Sequence, residues 1–358
     1  MRAYRTLLAI SCVLFCVACG SGDGGSVSAA ADGGDDATSS DGATTGDVFV
    51  GDDSSADAGS ASDAGSRDAD AARTDAGTTT YDHDGPDTST TFTAQISNGA
   101  STFNEHVFVP ASAGAHPVVS LSPGLQQPAS AYVPYATRLA SWGIVVLLRD
   151  DPGAFVATPN VTADLVYVIA TWLPAQNADT MSALHGKVDL ARIGLAGHSR
   201  GSQASLVAAE NALKTKVVAW FGIDAVDSMA LAGGTQARTN VATVGIPLGW
   251  VSGSVSSSCS PAADNYAVEY AAALSPAVSV VGIGAGHTQF EDPNTCVACN
   301  LCTPQGTADG TVVLAYSVRY LTAFFARELL HDATVGAAFQ GAGAPADVAA
   351  GRVQVASK

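Results

Sequence analysis

The sequence predicts an α/β fold: a mostly parallel central sheet flanked by helices, preceded by a long polar segment. Three observations predict it. Beyond residue 90, runs rich in Val and Ile alternate with Ala- and Leu-rich stretches, strand-like and helix-like in turn. The strand-like runs are apolar along their whole length rather than at every second residue, which suits strands buried on both faces. Between residues 20 and 90 the chain is almost entirely Gly, Ala, Ser, Thr and Asp, with no such pattern.

Residues 1–19 read as a targeting segment. Arg2 and Arg5 supply positive charge ahead of the apolar stretch Thr6 to Ala18, which is too short to span a bilayer. It ends in Cys16-Val17-Ala18-Cys19 and then Gly20. Small residues before a cysteine at this place resemble a bacterial lipobox, in which Cys19 becomes the lipidated first residue. The expectation is an extracytoplasmic lipoprotein held at a membrane, in the periplasm or at the cell surface.

Residues 20–90 carry few aliphatic side chains and, as aromatics, only Phe49 and Tyr81. Such a stretch cannot bury enough apolar surface to offset its ordering entropy, and reads as a disordered tether. A flexible coil of roughly 70 residues has an r.m.s. span of about 45–50 Å. About half of the 33 acidic residues lie here, so the net charge of −17 belongs in large part to this segment. That charge argues against a nucleic-acid partner.

Residues 91–358 are long enough for one sizeable domain. Thr91–Ser97 and Ser101–Val109 alternate and predict edge or antiparallel strands. Buried strands follow at His116–Ser122, Ile144–Arg149, Arg192–Ala196, Val217–Ile223, Ile246–Ser252 and Val278–Ile283. Helices are expected at Ser130–Ser141, Thr162–Leu173, Gln203–Leu213, Ala262–Ala273 and Val312–Leu330. In such sheets chemistry gathers at the carboxyl ends of the strands.

The strand Arg192–Ala196 runs into Gly197-His198-Ser199-Arg200-Gly201 and then a helical stretch. This is G-x-S-x-G, whose glycines permit a sharp strand-to-helix turn that exposes the serine as a nucleophile. Alone the motif is weak in a chain so rich in Gly and Ser; its strand–turn–helix setting gives it weight. The chain order that accompanies the motif is nucleophile, acid, histidine. Only His287 and His331 follow Ser199. His331 ends a long helix, where a histidine serves as a dipole partner. His287 follows the last buried strand in Gly284-Ala285-Gly286-His287 and is the candidate base. His198 is too close to Ser199 to act as its base, which leaves it a packing or supporting role. For the acid, the turn after Ile246–Ser252 reads Gly253-Ser254-Val255-Ser256, a serine where an aspartate is common. Asp224, directly after Val217–Ile223, is the first choice, with Asp227 and Asp264 as alternatives. Backbone amides of Arg200 and Leu125, the latter in Ser122-Pro123-Gly124-Leu125-Gln126, are the candidate oxyanion hole.

Pro123-Gly124-Leu125, Tyr132, and Leu139-Ala140-Ser141-Trp142-Gly143-Ile144-Val145-Val146 resemble the chlorophyllase and bacterial polyesterase (cutinase-like) branch of the α/β hydrolases. Gly197-His198-Ser199-Arg200-Gly201 and Gly222-Ile223-Asp224-Ala225-Val226-Asp227 are similar to that branch's lipase motif and acid segment. The resemblance spans about 115–295. It implies the α/β-hydrolase fold, a triad of Ser199, His287 and Asp224, and cleavage of carboxylic esters through an acyl-enzyme with no cofactor. Ser202 stands where the branch often has a further glycine, so what carries over is the ester chemistry rather than chlorophyll as substrate. An amidase, peptidase or acyltransferase would use the same triad, and a silent surface-binding domain the same fold.

Cys259, Cys296, Cys299 and Cys302 lie in the folded part, the last three as C-x-x-C-x-x-C. In the cytosol this would suggest zinc; outside it, an even count predicts two disulfides. At least one bridge is expected to tie the loop of Cys259 to the loop just after His287.

Overall fold

The computed structural model describes residues 81–99, 101–150, 156–229, 234–293, 299–339 and 346–358, all within the compact unit Gly65–Lys358. The expected signal with Cys19, the linker up to residue 80, and Cys296 lie outside the described residues.

The uninterrupted apolar runs become the centre of a sheet. Strands β3 (His116–Ser122) and β7 (Leu248–Gly253) are buried at every residue, and β4 (Val145–Asp150) and β6 (Val217–Ile223) nearly so. With β5 (Val188–His198) and β8 (Ala277–Gly282) they form six neighbouring parallel strands. The alternating early runs become β1 (Ser89–Asn98) and β2 (Ser101–Pro110), an antiparallel pair added beside β4. The full order is β1-β2-β4-β3-β5-β6-β7-β8-β9. Strand β9 (Val353–Ser357), antiparallel to β8, has no counterpart among the predicted elements. Only two of its residues are valines, spaced by two at the end of the chain, so no apolar run announces it.

Helices cover both faces. Successive residues of one strand point to opposite sides. Val119 and Leu121 of β3 and Phe221 of β6 pack with α1 (Val133–Ser141) and α6 (Gly310–Leu329). Val118 of β3 and Trp220 of β6 join Leu165 of α2 (Thr158–Tyr167) and Leu206 of α4 (Arg200–Glu210) on the other side. The short helices α3 (Leu173–Ala178) and α5 (Tyr266–Ala272) complete that second layer, and α7 (Ala346–Ala349) precedes β9. Each fully buried large side chain, such as Phe324 or Trp220, contributes about 1.5–3 kcal/mol. No helix among the described residues is long and apolar enough to cross a membrane.

The fold corrects one boundary. Residues 81–90, read as the end of the tether, belong to the domain. Tyr81 is buried with its ring 4.7 Å from that of Trp142. Asp84 pairs with Arg138 at 2.8 Å and Asp82 with Arg319 at 2.5 Å. The Gly85 amide donates to Ser141 Oγ at 2.8 Å. Composition reads only apolar burial; this segment is docked by one aromatic ring and by ion pairs.

Candidate active site

Strand β5 delivers its last residue, His198, to the carboxyl edge of the sheet, and α4 begins at Arg200. Ser199 alone makes the reversal. Its φ is 53° and ψ −122°, a left-handed conformation that a non-glycine residue adopts at a cost of about 1–3 kcal/mol. The flanking glycines are required by proximity. A Cβ on Gly197 would lie 2.3 Å from the Gly201 backbone, and one on Gly201 would lie 2.2 Å from Ser122 O. Among the described non-glycine residues, φ is positive at Gln126, Ser199, Asp224 and His331. Three of these four line or adjoin the same place, so backbone strain is concentrated there.

Asp224 is the first residue after β6, is buried, and has φ of 34°. Its Oδ1 accepts the Gly253 amide at 2.8 Å; its Oδ2 lies 2.5 Å from His287 Nδ1. His287 Nε2 lies 3.0 Å from Ser199 Oγ. A carboxylate can only accept, so Nδ1 carries a proton and Nε2 is left with a lone pair facing the serine hydroxyl. The three side chains form one chain of hydrogen bonds, from an acid through an imidazole to a hydroxyl. His287 opens a short 3₁₀ turn, His287–Phe290, whose Gln289 Oε1 accepts the Gly286 amide at 2.8 Å. Tyr135 Oη donates to Phe290 O at 2.9 Å, fixing the far end of the turn.

The alternative acids are employed otherwise. Asp227 accepts the amides of Ala237 at 2.6 Å and Arg238 at 3.1 Å, and Asp264 pairs with Arg238 at 2.9 Å. His331 is exposed just beyond α6. The Gly253–Ser256 turn supplies an amide to Asp224 instead of a carboxylate.

Ser199 and His287 open onto a cavity of about 340 Å³, which Leu125, Leu301 and Thr288 also line. Leu125 and Ser199 thus line the same cavity, and the Arg200 amide heads α4, where helical dipoles favour negative charge. A larger groove of about 690 Å³, between α1, α6 and the Asp82–Asp84 segment, contains none of these residues. Cys259 and Cys302 are joined, with their Cα atoms 5.0 Å apart and a sequence separation of 43. The bridge ties the loop after β7 to the loop that follows His287, and leaves neither sulfur as a thiolate for a metal. Cys299 is disulfide-bonded too. Gln305 Nε2 donates to the carbonyls of Cys299 at 2.8 Å and Cys302 at 2.7 Å, so the cavity wall that carries Leu301 is held twice.

His198 is buried and its ring is stacked 4.8 Å from that of His287. Its partners were not marked in the sequence as site residues. They are Tyr132, from the turn before α1, and Glu291, which follows the 3₁₀ turn of His287. Burial, with the Glu291 carboxylate beside it, pushes the Tyr132 hydroxyl well above the ordinary tyrosine range, so that it keeps its proton. Nothing in the spacing of Tyr132, His198 and Glu291 signals that they meet; only the register of β5 against β3 and the turn after β8 brings them together.

Residues 71–227 match the PETase family, described as PET hydrolase-like. That family is one of cutinase-like polyesterases, hydrolases acting on esters, and the matched stretch holds the loop of Leu125, the Ser199 turn and Asp224. No curated protein matches the chain. The chain therefore has the α/β-hydrolase fold, and over residues 71–227 it is similar to the PET hydrolase-like family.

Proposed function

We propose that the chain is a serine esterase that cleaves carboxylic esters, small or polymeric, through an acyl-enzyme on Ser199. The observation that carries this reading is the unbroken hydrogen-bonded chain Asp224–His287–Ser199, ending on a strained serine at the head of a helix. His287 Nε2 takes the Oγ proton as Oγ attacks the ester carbonyl. The amides of Leu125 and Arg200 hold the oxyanion, and Asp224 stabilises the imidazolium. His287 then protonates the departing alcohol. Water, deprotonated by His287 in turn, attacks the acyl carbon and returns Ser199 to its hydroxyl form. Leu125 and the exposed Leu301 give the cavity an apolar lining for the acyl or aryl part of the ester.

The test is turnover of p-nitrophenyl butyrate by Ser199→Ala, with the fold checked by circular dichroism. The expected result is loss of hydrolysis in a folded protein; turnover near the wild-type rate would refute the reading. We further propose that Cys19 is lipidated and holds the enzyme at a membrane outside the cytoplasm. Cys19→Ser should then move it from the membrane fraction to the soluble one, and unchanged partitioning would exclude the anchor.

A further inference from the structure

The buried trio Tyr132, His198 and Glu291 touches the site without belonging to the proton path. Glu291 and His198 are each no more than 3% exposed and Tyr132 is fully buried. Tyr132 Oη accepts the Gly124 amide at 3.0 Å and donates to Glu291 Oε1 at 3.1 Å. His198 Nδ1 lies 2.8 Å from Tyr132 Oη and 3.2 Å from Glu291 Oε1. His198 Nε2 lies 3.2 Å from the carbonyl oxygen of His287. A carbonyl only accepts, so Nε2 carries a proton and donates to the backbone of the candidate base.

The trio's outward bonds end on backbone atoms of the reactive centre. One ends on Gly124, which precedes the oxyanion donor Leu125. One ends on His287 itself. The third link is covalent, since His198 precedes Ser199. Gly124 lies so close that a Cβ there would sit 2.9 Å from His198 Nδ1 and 3.2 Å from Tyr132 Oη. Burying a histidine and a glutamate together is costly relative to apolar packing, and a buried polar set of this kind is worth keeping where it fixes a geometry.

On the reading that Ser199 is the nucleophile, we infer that Tyr132, His198 and Glu291 are positioning residues that set the Leu125 amide and the His287 ring at their working distances from Ser199. They touch no substrate atom; they act through Gly124 and the His287 carbonyl. The expected signature is a loss in kcat with KM held, because the interactions they align are made in the transition state.

The experiment measures kcat and KM for p-nitrophenyl butyrate, with active sites counted by fluorophosphonate titration so that unfolded protein does not enter the rate. Tyr132→Phe, which strands the Gly124 amide, should lower kcat per titrated site by at least about tenfold and leave KM within about twofold. Glu291→Leu should do the same. Glu291→Gln, which still accepts from Tyr132, should recover to within about threefold of wild type. The double variant Tyr132→Phe/Glu291→Leu should be no slower than either single, as for residues acting as a unit. Wild-type kcat per titrated site in Tyr132→Phe and Glu291→Leu, with only thermal stability lowered, would overturn the inference. If these variants do not fold, the wild-type protein decides: long-range ¹H–¹⁵N NMR should place a proton on His198 Nε2, donated to the His287 carbonyl, and an unprotonated Nε2 would overturn it. Turnover by Ser199→Ala would defeat the underlying esterase reading instead; Ser199 labelling with indifferent trio variants would defeat this inference alone.

Discussion

Two sets of buried carboxylates lie in the same domain and differ in how they are partnered. Asp224 has both oxygens engaged, one by the Gly253 amide and one by His287. Glu269 in α5 has Oε2 bound to the Trp250 indole at 2.8 Å, but its Oε1 has no partner, and neither has either oxygen of Glu210 at the end of α4. Burial pushes Glu269 and Glu210 up to about 8 each. Burial alone therefore does not mark a reactive acid. What distinguishes Asp224 is that both its oxygens are bound and one of them faces an imidazole, whereas the two glutamates are held protonated near neutral pH and face no such group.

The strongest way to break this contrast is to exchange the chemistry of Asp224. Asp224→Asn should lower kcat on the order of 10⁴-fold, because the His287 tautomer and imidazolium lose their partner. Asp227→Asn, which weakens the caps on Ala237 and Arg238, should lower the melting temperature and leave kcat within a few-fold. The reverse ranking in a kinetic comparison of the two folded variants would move the acid to Asp227.

A smaller effect is expected at the tie between the loops after β7 and β8. A crosslink closing a loop of 43 residues contributes up to about 4 kcal/mol by restricting the unfolded chain. Cys259→Ser/Cys302→Ser should therefore lower the melting temperature clearly and kcat modestly, since the wall bearing Leu301 and the turn bearing His287 lose a brace. Unchanged melting and unchanged kcat would show that the loops are held without it.

The smallest effect sharpens the contrast from the other side. A carboxyl whose folded-state pKa is raised stabilises the fold below the unfolded value, about 4.5, and that contribution is lost as pH climbs toward about 8. Glu269→Gln keeps an acceptor for Trp250 and cannot ionise. Its melting temperature relative to wild type should rise between pH 5 and pH 8, by about 2–4 °C for each kcal/mol relieved. A difference independent of pH would mean that Glu269 is not held neutral in the fold.

Much of this was legible in the sequence because it rests on local pattern. The buried strands announce themselves as apolar runs, and Gly197-His198-Ser199-Arg200-Gly201 places the strained turn between one of them and a helix. The place of Asp224 at the site was reachable because Ser256 occupies the usual acid position and Asp224 directly follows the preceding strand. The remainder depends on contacts distant in sequence. Residues 81–90 dock through Tyr81, Asp82 and Asp84 onto partners up to some 250 positions away, and no composition reports that. Strand β9 is short, amphipathic and at an edge. Glu291 sits after a turn with no motif around it, and His198 was assignable only to a supporting role until Tyr132 and Glu291 were seen beside it.

The central claim is that Ser199, driven by His287 and Asp224, is the acylated residue. Covalent capture tests it most directly. The protein is incubated with a fluorophosphonate, digested, and the peptides weighed by mass spectrometry. One adduct per chain should appear on the peptide bearing Ser199, with labelling abolished in Ser199→Ala and slowed by orders of magnitude in His287→Ala. An adduct on another residue, or no adduct on a folded protein that still cleaves p-nitrophenyl butyrate, would contradict the account.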